Sequence, residues 1–126
     1  MVKTPKKLNV PKNNSDAKAG EKISGGGFAL LSKDASVWKD WNESKDAVKI
    51  EIGNILGNGL DSADHIFLYN QKGETVDAVS WGSDTSAFNP SIAGVAIGHS
   101  IERLVPGFDG DNASDWVDRS PPTPGR

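Results

Sequence analysis

Residues 98–125 read GHSIERLVPGFDGDNASDWVDRSPPTPG, and they are the most informative part of the sequence. Its beginning, residues 100–104, is predicted to form a strand, and residues 115–117 are a weaker strand candidate. The segment between them is rich in Asp, Asn and Gly, which favour turns because they bond to the local backbone or accept left-handed conformations. Two extended segments joined by such a turn indicate β-structure at this end of the chain.

The composition extends this interpretation to the whole chain. A sequence of 126 residues with 36% hydrophobic residues fits a single soluble domain with a small core. Its 14 Gly and 7 Pro imply many turns, so an all-β architecture is favoured over a helical bundle. The absence of cysteine excludes disulfides and thiolate metal sites. Nothing after Met1 resembles a signal peptide, and no apolar run is long enough to cross a membrane.

Charge is divided unevenly along the chain. Residues 1–22 carry six Lys against Asp16 and Glu21, a net charge of +4, so the other 104 residues carry −7 of the total of −3. Only Leu8 and Val10 offer sizeable apolar side chains there, which is typical of a flexible arm. A solvated linker is the favoured interpretation of this basic arm, and binding to nucleic acid is the alternative.

Alternating or short apolar runs mark the strands. We predict strands at residues 28–32, 47–52, 65–69, 75–81 and 100–104, with weaker candidates at 8–10 and 115–117. The third and fourth of these flank a loop that contains Gly73, which allows the left-handed conformation of a β-hairpin. Residues 54–61 read as a connection bent by glycines, and residues 82–98 as a long loop.

A short helical turn is predicted near residues 36–42, capped by Asp34 or Ser36. It places Val37, Trp38 and Trp41 on one side. We favour packing of the two Trp against the strands, because so short a helix is unstable alone. The alternative is an exposed aromatic platform for a sugar or a peptide. Together with Phe88 of the long loop, Trp38 and Trp41 are the candidate interaction residues.

Five pieces of the sequence, taken in order, resemble lamin-tail domains. They are residues 27–31, 64–69, 73–82, 100–103 and the Asp-rich tail that ends in Thr-Pro-Gly at 123–125. Their order and spacing make the resemblance fairly specific over residues 23–125. The chain is most similar to prokaryotic and archaeal members, which occur in secreted or envelope proteins, some with nuclease or other hydrolase domains.

The resemblance implies an immunoglobulin-like β-sandwich over residues 23–126, in a non-catalytic module that holds a larger protein together. It implies an extracellular or cell-envelope location, with a protein or the adjacent domains of a longer chain as partner. One departure is that the family's first two or three strands are not visible before Gly25. Such a sandwich has about seven strands, so something must replace the missing ones. Either the arm replaces a strand, or a second copy supplies one by strand exchange in a homodimer, or the fold is a trimmed barrel.

The Asp-rich turn is a candidate calcium site. Hard oxygen ligands at alternate positions suit Ca²⁺, and Asp109, Asp111 and Asp115 are the candidate ligands, with Asp118 as a fourth. The turn lacks the downstream Glu of an EF-hand, and Asx turns use the same residue types, so a plain turn is favoured. We expect no other cofactor.

Asp77 lies in the middle of a predicted strand, among apolar neighbours. An Asp that faces a core must be paired, and Arg103 on the last predicted strand is its natural partner. The sequence therefore predicts a structural ion pair between the two residues.

The two imidazoles, His65 and His99, occupy ordinary strand positions in the predicted fold. A zinc site or a hydrolase would need them to converge with a carboxylate or a nucleophilic Ser. No nucleophile elbow, phosphate loop or paired-Glu motif is present, so we predict no enzyme activity. The alternatives to an interaction module are a nucleic-acid-binding module and an accessory fragment of a hydrolase.

Overall fold

The computed structural model of the chain describes residues 7–8, 22–53 and 59–126. Strands make up 30% of the structure and helix 9%, so the chain is β-rich, as predicted. The strands are β1 (Lys7–Leu8), β2 (Ala29–Ser32), β3 (Val48–Glu51), β4 (Asp64–Tyr69), β5 (Thr75–Trp81), β6 (Ser100–Arg103) and β7 (Trp116–Arg119). Two short 3-10 helices are η1 (Ala35–Asp40) and η2 (Ala113–Asp115).

The described strands form three small sheets. The first has the order β1-β4-β5 and is antiparallel throughout. In the second, β2 pairs with β3 in parallel, with Ala29 opposite Val48 and Ser32 opposite Glu51. In the third, β6 and β7 pair antiparallel. The chain returns from β2 to a parallel neighbour through η1, and this connection carries the helix to one side of the strand pair.

The strands lie where the sequence predicted them. All five main predictions coincide with strands within two residues, and the weaker candidate at 115–117 is β7. The candidate at 8–10 overlaps β1 at Leu8, whereas residues 9–10 lie outside the described part of the chain. Most of the predicted basic arm at 1–22 and residues 54–58 of the Gly-bent connection predicted at 54–61 also lie outside it. The predictions for those residues, including nucleic-acid binding, stay predictions.

The β4–β5 hairpin follows the turn chemistry that the sequence predicted. Gly73 has a φ of 80°, in the left-handed region. The Asn70 side chain accepts hydrogen bonds from the amides of Lys72 and Glu74, at 2.9 and 3.0 Å, and so stabilises the loop. A register shift between Leu68 and Tyr69 absorbs the odd residue. The register then places Asp64 opposite Trp81, at the far end of the hairpin.

The buried core of the described chain is small. Its buried apolar residues are Leu30, Ala47, Ile50 and Ile92. All six residues of β4 are only half-buried. The alternation predicted for β3 is present, because Ile50 is buried whereas Lys49 and Glu51 are exposed. A core of this size leaves much apolar surface near the strands accessible to other groups.

The C-terminal segment packs against this core and links β6 to β3. The Thr123 amide and hydroxyl donate to the two carboxylate oxygens of Glu102 on β6, the amide at 2.7 Å. Pro124 accepts a 3.1 Å bond from the Ser44 amide, just before β3. A Cβ on Gly125, whose φ is 80°, would lie 2.9 Å from the Ala47 side chain. The terminal Thr-Pro-Gly therefore holds two sheets together.

Acid is expected to weaken this link through Glu102. Burial raises the pKa of Glu102, but hydrogen bonds from Thr123 and Ser100 outweigh it, and the pKa lies below its usual 4.5. A carboxyl whose pKa is lower in the folded chain stabilises the fold above its unfolded pKa and loses that effect as the pH falls through the folded pKa. The stability that Glu102 adds is therefore present above about pH 4.5 and is lost below it.

The measurement is thermal unfolding from pH 3 to pH 7 for the wild type and Glu102→Gln. We expect the variant to be less stable at neutral pH and the difference to shrink in acid. Other carboxylates contribute equally to both proteins, so the difference isolates Glu102. A difference that stays constant across this range would contradict the prediction.

Candidate functional site

A cavity of about 530 Å³ lies between η1, β6 and the C-terminal segment. Its walls are mainly apolar and aromatic, and they include Phe28, Val37, Trp38, Trp41, Pro106, Trp116, Pro122 and Pro124. The cavity is accessible to solvent, since Trp41 is 43% exposed and Val37 and Phe28 nearly as much. Concave apolar surfaces of this size are typical of ligand sites.

Local sequence explains how η1 presents its aromatic side chains. The Asp34 carboxylate caps the helix by accepting a 2.9 Å bond from the Ser36 amide, and bonds from Ser36 lower the pKa of Asp34. A 3-10 helix has about three residues per turn. Trp38 and Trp41 are three residues apart, so they lie on the same side and both line the cavity. The helical turn predicted near 36–42 is thus confirmed as η1, shifted by one or two residues.

The structure separates the three candidate interaction residues. Trp38 is half-buried, in keeping with the predicted packing, whereas Trp41 is exposed. Phe88 does not line the cavity. Its amide donates a 3.0 Å bond to the hydroxyl of Ser80, a fully buried residue of β5. Phe88 therefore anchors the long 82–98 loop, and Trp116 joins the two Trp of the helical turn in its place.

Two indole nitrogens at the cavity have no hydrogen-bond acceptor within the described residues. They are the Nε1 atoms of Trp38 and Trp116, and both are buried. An unsatisfied buried donor costs about 1–3 kcal/mol. Because both atoms are closed to solvent, they add to the cost of the fold and offer no donor to a group in the cavity.

Arg103 lies at the edge of the cavity and holds several elements together. Its guanidinium donates to both carboxylate oxygens of Asp77, at 3.2 and 3.0 Å, which confirms the predicted pair. It also donates to Asp109 at 3.0 Å and to the Phe108 carbonyl at 3.1 Å. The guanidinium carbon lies 4.5 Å from the centre of the Trp116 ring. The Asp77 side chain is half-exposed, so this pair lies at the periphery and not in the core.

The Asp-rich turn forms a network with its own backbone. Asp115 accepts a 2.6 Å bond from the Gly110 amide, and Asn112 caps η2 by accepting from Ser114. Asp109 accepts from the Asp111 amide as well as from Arg103. These are the Asx-turn bonds that the favoured interpretation predicted. Calcium binding by Asp109, Asp111 and Asp115 stays a prediction.

Each imidazole is paired with a carboxylate of its own. His65 Nδ1 lies 2.8 Å from an oxygen of Asp84, and His99 Nδ1 lies 2.7 Å from an oxygen of Asp118. His99 comes just before β6 and is not part of that strand. The expectation of an ordinary strand position was therefore wrong for His99 and incomplete for His65.

In the described part of the chain, a third residue that can bind a metal lies beside the His65–Asp84 pair but not beside the His99–Asp118 pair. Atoms of Asp64, His65 and Asp84 that can bind a metal all lie within 4.8 Å of one another. Hydrogen bonds from the Ser86 side chain, from His65 and from the Ser86 amide lower the pKa of Asp84 to about 2. The Asp84 carboxylate is thus ionised at any physiological pH.

Sequence reasoning missed Asp84 and Trp116 as site residues. A signal for Asp84 was present, because the predicted hairpin brings the end of β5 next to the start of β4, where Asp64 and His65 lie. Trp116 offered no such signal, since its position depends on how β7 packs.

No family model, curated protein or solved structure matches the chain. The lamin-tail resemblance and its implications accordingly stay predictions. Among the residues described, no helix has the length and apolar character needed to cross a membrane.

Proposed function

We propose that the chain is a non-catalytic interaction module, a lamin-tail-like β-sandwich, that binds an extended segment of a partner protein or of a neighbouring domain. The observation that carries this proposal is the open aromatic cavity between η1, β6 and the C-terminal segment. Exposed apolar surface of this kind is costly in water and is typical of protein-binding sites. An extracellular or cell-envelope location is part of the same proposal.

The chemistry of the cavity favours an apolar, extended segment. Trp is enriched among residues that dominate binding energy, because its ring offers a large, rigid contact area. The charged groups at the edge already have partners: Arg103 is bound by Asp77 and Asp109, and Glu102 by Thr123. A ligand therefore gains most from apolar contacts and from backbone hydrogen bonds.

Strand β6 offers a route to such backbone bonds. Among the described strands it pairs with β7 alone, along one edge. All four of its residues also line the cavity. We propose that an extended segment in the cavity adds to the edge of β6 that does not pair with β7, because strand addition combines backbone hydrogen bonds with side-chain contacts.

Selection of peptides from a random displayed library against the folded chain tests this proposal. We expect enriched peptides that bind the wild type and bind Trp41→Ala at least about tenfold more weakly, as for loss of one hot-spot contact. Ile97→Ala is the matched control, because Ile97 is fully exposed and lies outside the cavity. Failure to enrich any peptide, or equal binding to Trp41→Ala, would contradict the proposal.

A further inference from the structure

We propose that Asp64, His65 and Asp84 form a binding site for a divalent transition-metal ion, with zinc as the best-fitting ion. The site lies at the open end of the β4–β5 hairpin, where the first two residues of β4 meet the turn that follows β5. It is independent of the aromatic cavity, since none of the three residues lines that cavity.

The convergence of these side chains departs from ordinary strand geometry. Successive residues of a strand point to opposite faces, so neighbours such as Asp64 and His65 usually diverge. Here one ligand atom of Asp64, one of His65 and one of Asp84 all lie within 4.8 Å of one another. Asp64 is the first residue of β4, and its carboxylate turns back to accept a 2.9 Å bond from the His65 amide. Three ligand-type groups thus meet from two segments of the chain.

The surroundings hold these segments in a fixed relation. The Trp81 indole donates a 2.8 Å bond to the Asp61 carbonyl, which ties the loop before β4 to the end of β5. Gly82 lies so close to Ser62 that a Cβ there would be 2.5 Å from its carbonyl oxygen. The Ser86 amide holds one oxygen of Asp84 at 2.8 Å, and His65 contacts the other. Such positioning by surrounding groups is what a metal site requires.

The donor set selects the class of metal. One imidazole and two carboxylates suit Zn²⁺, which binds three protein ligands and keeps a fourth position for water in open sites. Bonds of about 2.0–2.2 Å place tetrahedral zinc ligands roughly 3.3–3.5 Å apart. His65 Nδ1 and the Asp84 oxygen are 2.8 Å apart, so they need to separate by only about half an ångström. Zinc would then take the place of the proton that the two atoms share.

The second imidazole gives an internal control. His99 and Asp118 form the same kind of pair at nearly the same distance. This pair is not part of any group of three ligand residues in the described chain. It is also more exposed than the His65–Asp84 pair. If a His–Asp pair were enough to bind zinc, substitution of either His would weaken zinc binding. We expect substitution of His65 alone to weaken it.

The test is calorimetric titration of the full chain, freed of metal by a chelator, with zinc chloride. We expect one zinc ion per chain and a rise in melting temperature when zinc is added. His65→Gln and Asp84→Asn should each weaken binding at least about tenfold, and His99→Gln should leave it unchanged. Asp64→Asn, which keeps the His65–Asp84 contact, is the second variant if the other two unfold.

Either of two binding results would overturn the proposal, and so would one result of the control variant. One is no heat of binding and no change in melting temperature at about 0.1 mM zinc, a concentration that would saturate a micromolar site. The other is equal binding by the wild type and all the site variants, which would indicate adventitious zinc on other surface carboxylates. Equal loss in His99→Gln and His65→Gln would count against it in the same way.

Discussion

Replacing Arg103 with Met is expected to lower the free energy of unfolding by about 1.5–3 kcal/mol, the range for hydrogen bonds to charged groups. The substitution keeps most of the apolar volume but removes four hydrogen bonds, to Asp77, Asp109 and the Phe108 carbonyl. Arg103 is only 17% exposed, so water replaces these bonds poorly. The Asp77 and Asp109 carboxylates would lose this partner, but each is more than one-third exposed, so water offsets part of the loss.

Urea denaturation of the full chain measures this effect, with Arg119→Met as the matched control. Arg119 contacts Glu102 at 3.5 Å and is 43% exposed, so its loss should cost less than about 1 kcal/mol. Arg103→Lys should give an intermediate result, because Lys keeps the charge but has a single nitrogen, whereas Arg103 uses Nη2 for Asp77 and Nη1 for Asp109 and the Phe108 carbonyl. Equal midpoints for the Arg103→Met and Arg119→Met proteins would show that Arg103 has no special structural role.

The Asp77–Arg103 pair also shows what sequence can predict here. An Asp inside an apolar strand needs a partner, and the sequence offered few Arg residues on predicted strands, so the pair could be inferred. The β4–β5 hairpin was predictable for a similar reason, since Gly73 and the alternation around it are local signals. Local rules therefore predicted most of the strand positions and one long-range contact.

Sheet composition was beyond those rules. Nothing local distinguishes a parallel from an antiparallel neighbour for β2. The C-terminal segment packs against this strand pair, since a Cβ on Gly125 would lie 2.9 Å from Ala47 and 3.5 Å from Leu30. The aromatic site shows the same limit. Spacing predicted that Trp38 and Trp41 share a side, but the third Trp of the cavity is Trp116, more than 70 residues away in sequence. Packing between distant segments assembles the site, and no regular spacing of residues in the sequence indicates which segments pack together.

Gly82 is the position at which one added methyl group is expected to cost most. Its φ is 66°, a conformation that costs an L-residue about 1–2 kcal/mol. In Gly82→Ala the Cβ would also lie 2.5 Å from the Ser62 carbonyl oxygen and 2.8 Å from the Ala63 Cα. Both contacts are with backbone, so the 62–63 segment must move away. The Gly82 amide, which bonds to the Ile92 carbonyl at 2.8 Å, would be displaced with it.

We expect Gly82→Ala to lower the free energy of unfolding by about 3–4 kcal/mol, the sum of backbone strain and overpacking. Gly98→Ala separates the two causes, because Gly98 has a φ of 86° but nothing within 4 Å of an added Cβ. That control should lose only the strain, about 1–2 kcal/mol. The excess loss in Gly82→Ala therefore measures how tightly the loop before β4 is held against the end of β5. Equal losses in the two variants would mean that this loop moves away at little cost. The loop would then not hold Asp64 in position for a metal ion.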